Sequence, residues 1–198
     1  MINDDRVAPG GGFPTHPHRD MEIFSYVLDG ALEHRDSMGN GSVIRPGDVQ
    51  MMSAGRGVAH SEFNPSRESA VHFLQILIVP DRRGVEPRYQ QAHFAATEKR
   101  GRLRLIISPD GADGSLAVYQ DVRVFAGLFD PGERATFILP AGRHAYIHVA
   151  RGQIAANSID MNEGDGARVR DPGPLAIDGG ENAELLLFDL RARERPGP

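Results

Sequence analysis

Two short clusters in the first third of the chain carry most of its chemistry. His16-Pro17-His18 is a histidine pair separated by one residue, and His60-Ser61-Glu62 repeats that spacing with a carboxylate. On an extended strand residues i and i+2 point to the same face. Each cluster can therefore aim two donors at one ion while its middle residue turns away. Two such strands lining one interior supply His16, His18, His60 and Glu62, a set of nitrogen and oxygen donors. Such donors suit Fe(II), Mn, Co, Ni or Cu better than structural zinc, and four ligands leave open positions in an octahedral sphere. The chain has no cysteine, so disulfides, thiolate zinc sites, iron–sulfur clusters and cysteine nucleophiles are excluded.

Spacing by itself is a modest signal, since eight histidines in 198 residues give about 0.3 His-x-His pairs by chance. The surroundings sharpen it. Gly10-x5-His16-x-His18-x3-Glu22 precedes a strand and a turn, and Pro46-Gly47-Asp48 is followed by Gly57-x2-His60-x3-Asn64. The other histidines have plainer readings. His34 lies in a polar hairpin segment and is expected at the surface. His72, within an apolar strand, is expected as a hydrogen-bonded wall residue. His93, His144 and His148 lack partners at ligand spacing. Met21, Met38, Met51 and Met52 read as packing residues, with one of Met51 and Met52 facing inward on an alternating strand.

The elements that must position these donors are short strands. Gly and Pro together number 37 and are spread along the chain, which argues against long helices. Strands are expected over Ile23–Leu28, Val71–Val79, Leu103–Ile107, Val122–Phe129, Thr136–Leu139, Ala145–Val149 and Leu185–Leu190. The one helical pattern runs from Pro87 to Arg100, with Tyr89, Ala92 or His93, and Ala96 at helical spacing before Gly101. A repeat is visible around this midpoint. Tyr26-Val-Leu-Asp-Gly30 and Arg45-Pro-Gly-Asp48 in the first half match His148-Val-Ala-Arg-Gly152 and Asn162-Glu-Gly-Asp165 in the second. The expected fold is all-β. Two antiparallel barrels, 1–82 and 101–198, are joined by a helical connector over 83–100. Counting equivalent positions places Ile138, Pro140 and Ile177 where the first half has His16, His18 and His60, so the second barrel is expected to hold no metal.

Composition narrows the partners. The length fits one large domain or two of roughly 100 residues. A formal net charge of -5 disfavours direct nucleic-acid binding. No stretch approaches the ~20 apolar residues of a membrane span, and Met1–Gly12 has no signal-peptide core, so cytoplasm is the default expectation. Lys99 is the only lysine, which fits GC-rich codon usage, and Arg191 to Arg195 read as a solvated terminus.

The first donor cluster with its flanks resembles the first cupin motif, and Pro46-x-Asp48 with Gly57-x2-His60-x3-Asn64 resembles the second. More narrowly, several strings resemble the pirin family: Arg6-Val-Ala-Pro-Gly-Gly-Gly-Phe13, Thr15-His-Pro-His-Arg-Asp-Met-Glu-Ile23, Asp36-Ser-Met-Gly-Asn-Gly41, His60-Ser-Glu-Phe-Asn64 and Glu86-Pro-Arg-Tyr-Gln-Gln91. The resemblance runs to Leu186-Leu-Phe-Asp-Leu190 and implies a bicupin of the jelly-roll type. It also implies one mononuclear metal, usually iron, in the N-terminal barrel. The ligands it implies are His16, His18, His60 and Glu62, with Glu22, at the usual cupin carboxylate position, as second choice. Bacterial members resemble quercetin 2,3-dioxygenases, which implies a small aromatic substrate, dioxygen, and Glu62 as the base that takes the flavonol proton. Phe13, Phe63, Phe73 and Leu77 are candidate walls for the substrate, or simply core. Nuclear animal members are regarded as transcription cofactors, which implies the alternative of a metal-bearing regulatory module that docks on a protein without turnover. Pirins carry a few dozen residues before the segment matching Met1-Ile-Asn3, so an exposed barrel edge is expected here.

Overall fold

The structure is a computed structural model that describes residues 1–192. It divides into two compact units, Met1–Phe94 with Val118–Gln120, and Ala95–Ala117 with the residues from Asp121 onward.

The first unit holds nine strands: β1 (Ile2–Val7), β2 (Gly12–His18), β3 (Glu22–Asp29), β4 (Leu32–Asp36), β5 (Gly41–Ile44), β6 (Asp48–Ser53), β7 (Val58–Phe63), β8 (Val71–Ile78) and β9 (Arg88–His93). They form a five-stranded sheet, β1-β8-β3-β6-β9, and a four-stranded sheet, β2-β7-β4-β5. All pairings in both are antiparallel. The sheets are stacked as a jelly-roll sandwich rather than closed into one barrel, with β1 and β9 as edges of the larger sheet. Val27, Val71 and Phe73 of one sheet pack on Leu32 and Ile44 of the other. Ile23 and Met52 pack on Val58 nearby. Burying side chains of this size stabilises by about 1.5–3 kcal/mol each. Met52 thus faces inward, as the alternation requires of one of the two methionines.

The helix expected over Pro87–Arg100 is confined to one turn, α1 (Ala96–Lys99). Arg88–His93 is instead β9, paired with β6 from Asp48↔His93 to Ser53↔Arg88. The apolar positions Tyr89, Ala92 and Ala96 are too sparse to hold a helix against a core, and an open sheet edge offers the backbone a full ladder. Tyr89 points inward and lies against His34, with ring centroids 5.2 Å apart.

The second unit contains β10 (Leu103–Ser108), β11 (Leu116–Ala117), β12 (Val122–Phe129), β13 (Ala135–Leu139), β14 (Arg143–Ala156), β15 (Ile159–Asn162), β16 (Gly166–Val169) and β17 (Gly173–Arg191). All belong to one eight-stranded sheet, antiparallel except for β10 with β11. Leu139, Ile147, Val149, Leu175, Ile177 and Leu187 lie in its core. Of the positions counted as equivalent to the first half's histidines, Ile177 is therefore core, whereas Ile138 is 64% exposed. The repeat is real in its turns. Asp48 N donates to Arg45 O and Arg45 N to Asp48 Oδ2. Asp165 N donates to Asn162 O and Asn162 N to Asp165 Oδ2 in the same way. Gly152 departs from the parallel, because β14 runs through it instead of ending there. Its φ of +69° and the register shift between Arg151 and Gln153 mark a bulge that bends the strand. Arg191 ends β17, and the tail expected to follow it, from Arg193 on, lies outside the described residues.

Candidate metal centre

The four-stranded sheet gathers the donors, and its pairing register explains how. His16 on β2 lies opposite His60 on β7, and Phe13 lies opposite Glu62. From Phe13 to His16 the chain advances three residues while β7 moves back two, so β2 carries one extra residue, a β-bulge at Pro14-Thr15. The bulge resets the alternation, which lets Phe13 and the pair His16/His18 all present to the inner face. Gly12 sits at the start of this stretch because β7 crowds it. A Cβ there would come 2.3 Å from the Glu62 carbonyl oxygen.

The donor atoms of His16, His18 and His60 all lie within 4.8 Å of one another. His16 Nε2 is 3.1 Å from His60 Nε2, and the His16 and His18 rings stand 4.8 Å apart edge to face. His16 Nδ1–H donates to the Pro14 carbonyl at 2.9 Å, which leaves the Nε2 lone pair for the cluster. Glu62 is fully buried two residues along β7. Ser25 Oγ donates to its Oε1 at 3.1 Å and Gln75 Nε2 donates to its Oε2. Both donors come from the opposing sheet, so the carboxylate is oriented from behind.

The electrostatics suit a cation. Burial first, then the neighbouring His16, His34 and His18, push the His60 imidazole down to about 3, so it is neutral at ordinary pH. Burial and His16 lower His18 in the same sense. Burial raises the Glu62 carboxyl against the hydrogen bonds from Ser25 and Gln75. Neutral imidazoles around a buried carboxylate form a donor set with lone pairs to give and a negative charge to neutralise.

A second group overlaps the first: His34, His60 and Glu62, all buried, again with donor atoms within 4.8 Å. His34 is therefore not at the surface as its polar surroundings implied; it is fully buried. On β4 it lies opposite Glu62, and Asp36 lies opposite His60. The signal was present in the residues, because His34-Arg35-Asp36 has the same i, i+2 pattern as the two donor clusters. Among the remaining histidines, His72 hydrogen-bonds Asp4 at 2.7 Å and His93 pairs with Asp48 at 2.8 Å.

Glu22 lies outside both groups. Opposite Ser53 on β6, it faces the far side of the five-stranded sheet. There its Oε2 accepts from Ser53 Oγ at 2.9 Å and from Tyr119 N at 3.2 Å. Burial outweighs these bonds and the nearby Arg88 charge, and raises the Glu22 carboxyl above the usual range. A raised carboxyl pKa means the folded state binds the proton more tightly than the unfolded chain does. The charge at Glu22 therefore opposes folding above that pKa, and the opposition fades as pH falls through it. Glu22→Gln removes the charge at every pH. The melting temperature of the variant minus that of the wild type is thus expected to shrink between about pH 8 and pH 5 in thermal unfolding. A constant or growing difference contradicts the assignment.

Comparison with known proteins places the chain in a family. The family model described as Pirin matches residues 1–78, and one described as Quercetinase C-terminal cupin domain matches residues 105–190. The protein named quercetin 2,3-dioxygenase from Escherichia coli K12 is 42% identical over 190 residues, spanning 96% of this chain and 81% of that protein. The chain belongs to the pirin family. A pirin-like protein of Caulobacter vibrioides is 40% identical over 189 residues, 94% of this chain and 81% of its own. Among solved structures, the Escherichia coli bacterial pirin YhhW in complex with nickel(II) superposes on this pirin with a TM-score of 0.90. The two are 41% identical, and the match spans 97% of this chain and 82% of that one. Among the described residues of this pirin, no helix is long and apolar enough to cross a membrane.

Proposed function

We propose that this pirin is a metal-dependent dioxygenase that opens quercetin-like flavonols, with one transition-metal ion per chain held by His16, His18, His60 and Glu62. Iron(II) is the first choice of metal, with manganese, cobalt, nickel and copper as alternatives for the same donors. The observation that carries the proposal is the convergence of the His16, His18 and His60 donor atoms at the inner face of one sheet, with the buried Glu62 carboxylate joined to them through the overlapping group it forms with His60 and His34. The family relationship, and the activity named for the Escherichia coli relative, support it.

Bound there, the metal supplies the Lewis acidity and the redox chemistry that couple an enolised substrate to dioxygen. The protein supplies the rest. His16 and His18 are half-buried whereas His60 and Glu62 are buried, so substrate approaches from the side of the β2 histidines. Glu62 takes the proton of the flavonol hydroxyl. Ser25 and Gln75 keep the carboxylate in place during the transfer. Phe13 lies edge-on to Phe73 with centroids 6.5 Å apart, and Phe13 is 36% exposed. It offers an apolar edge to an aromatic ring at the rim, while Phe73 belongs to the core.

The test is aerobic turnover of quercetin by iron-loaded protein. Loss of flavonol absorbance is followed together with oxygen uptake and carbon monoxide release, because quercetin also autoxidises. Carbon monoxide released in step with oxygen consumed, and only with metal, is the expected result. Fully loaded protein that releases none overturns the enzyme proposal and leaves a regulatory metal-binding module as the better account.

A further inference from the structure

We infer that His34 and Asp36 form a relay behind His60 that fixes which of its ring nitrogens faces the metal, so that His34 is a positioning residue of the site. The inference rests on the metal assignment proposed above and extends it to two residues outside the four donors. His34 Nε2 donates to Asp36 Oδ2 at 3.2 Å, both side chains being fully buried. Asp36 is itself well held. Burial works against its charge, but hydrogen bonds from Asn40, His34 and Met38 prevail, and it remains an acceptor. With Nε2–H committed to Asp36, a neutral His34 ring carries its lone pair on Nδ1.

Two buried nitrogens then stand unsatisfied in adjoining rings. His34 Nδ1 and His60 Nδ1 are buried with no hydrogen-bond partner among the described residues, and the two rings lie 5.3 Å apart, centroid to centroid. His60 points its other nitrogen, Nε2, at His16. To ligate a cation through Nε2, neutral His60 must carry its proton on Nδ1, and that proton needs an acceptor. His34 Nδ1 is a lone pair in the adjoining ring. His16 solves the same problem differently, by donating Nδ1–H to the Pro14 carbonyl. Tyr89, tilted 35° against His34, closes the far side of the ring. Asp36, His34 and His60 thus form a chain that ends on the metal-facing lone pair. The small ring rotation that would join the last two is the change expected when the cation binds.

The experiment measures Ni(II) affinity by competition with a chelator, and records nitrogen–proton correlations of 15N-histidine-labelled protein loaded with Zn(II). Wild-type protein is expected to show a His60 Nδ1–H signal. His34→Phe, which keeps bulk but removes the acceptor, should lose or strongly shift that signal and bind Ni(II) about 10- to 100-fold more weakly. His34→Asn places an amide oxygen close to the position of Nδ1 and should recover most of the affinity. If wild-type protein binds neither ion, the metal assignment itself fails. If wild-type protein binds both and His34→Phe binds equally, with the His60 signal unmoved, the relay is overturned while the metal site stands. Loss of one coordinated nitrogen in the Ni(II) absorption spectrum of His34→Asn would also overturn it, because His34 would then be a ligand.

Discussion

Replacing His60 with alanine is expected to take metal content from about one ion per chain to near zero. His60 belongs to both donor groups and stands opposite His16 on one side and Asp36 on the other. Its loss leaves His16 and His18 on β2 without the side chain that joins them to Glu62. Outer-shell partners of a metal typically contribute about 10- to 100-fold in affinity, and a direct ligand at the centre of the set should exceed that. Elemental analysis and chelator competition measure the effect, with His93→Ala as the control. The His93 side chain is 62% exposed, pairs with Asp48 and belongs to neither donor group, so its removal should leave the metal in place. Full occupancy in His60→Ala protein that still melts cooperatively would remove the site.

Glu62→Gln should separate binding from turnover. The amide oxygen still coordinates, weakly, so part of the metal is retained. The amide cannot accept a proton, however, and general-base contributions are typically about 100- to 10,000-fold in rate. Carbon monoxide release per bound metal is therefore expected to fall by a factor in that range, well beyond the fall in metal content. A carboxylate base acts only while deprotonated, so the wild-type rate should decline at low pH, where the base becomes protonated and idle. The residual rate of Glu62→Gln should show no such decline. Equal loss of metal and turnover would make Glu62 a ligand and nothing more.

Much of this architecture was legible in the residues. Apolar runs located β3, β8, β10 and β12 to within a residue or two, because strands buried over most of their length leave a nearly continuous hydrophobic record. Strand β9 was misread because Arg88–His93 is polar, and a polar edge strand owes its form to the neighbour it pairs with. The i, i+2 clusters of His16, His18, His60 and Glu62 pointed to one face. Alternation, however, cannot say which strand will lie beside which. For that reason His34 and Asp36 passed as a polar hairpin: their burial is decided by β4 pairing with β7, a contact about 25 residues away in sequence. Glu22 illustrates the converse. It matched a familiar pattern, yet its parity on β3 turns it to the face opposite Ser25, the residue that bonds Glu62.

The single extra residue in β2 gives that stretch room for one particular edit. Removing one residue between Phe13 and His16 would leave two steps on each strand, so the bulge would disappear while His16 stayed opposite His60 and the histidine pair kept the inner face. An alignment would show a gap beside the donors, whereas the donor set would stand. Between relatives of this protein, then, a one-residue gap near Pro14 is compatible with a held cation, and the residues at the positions of His16, His18, His60 and Glu62 say more about it.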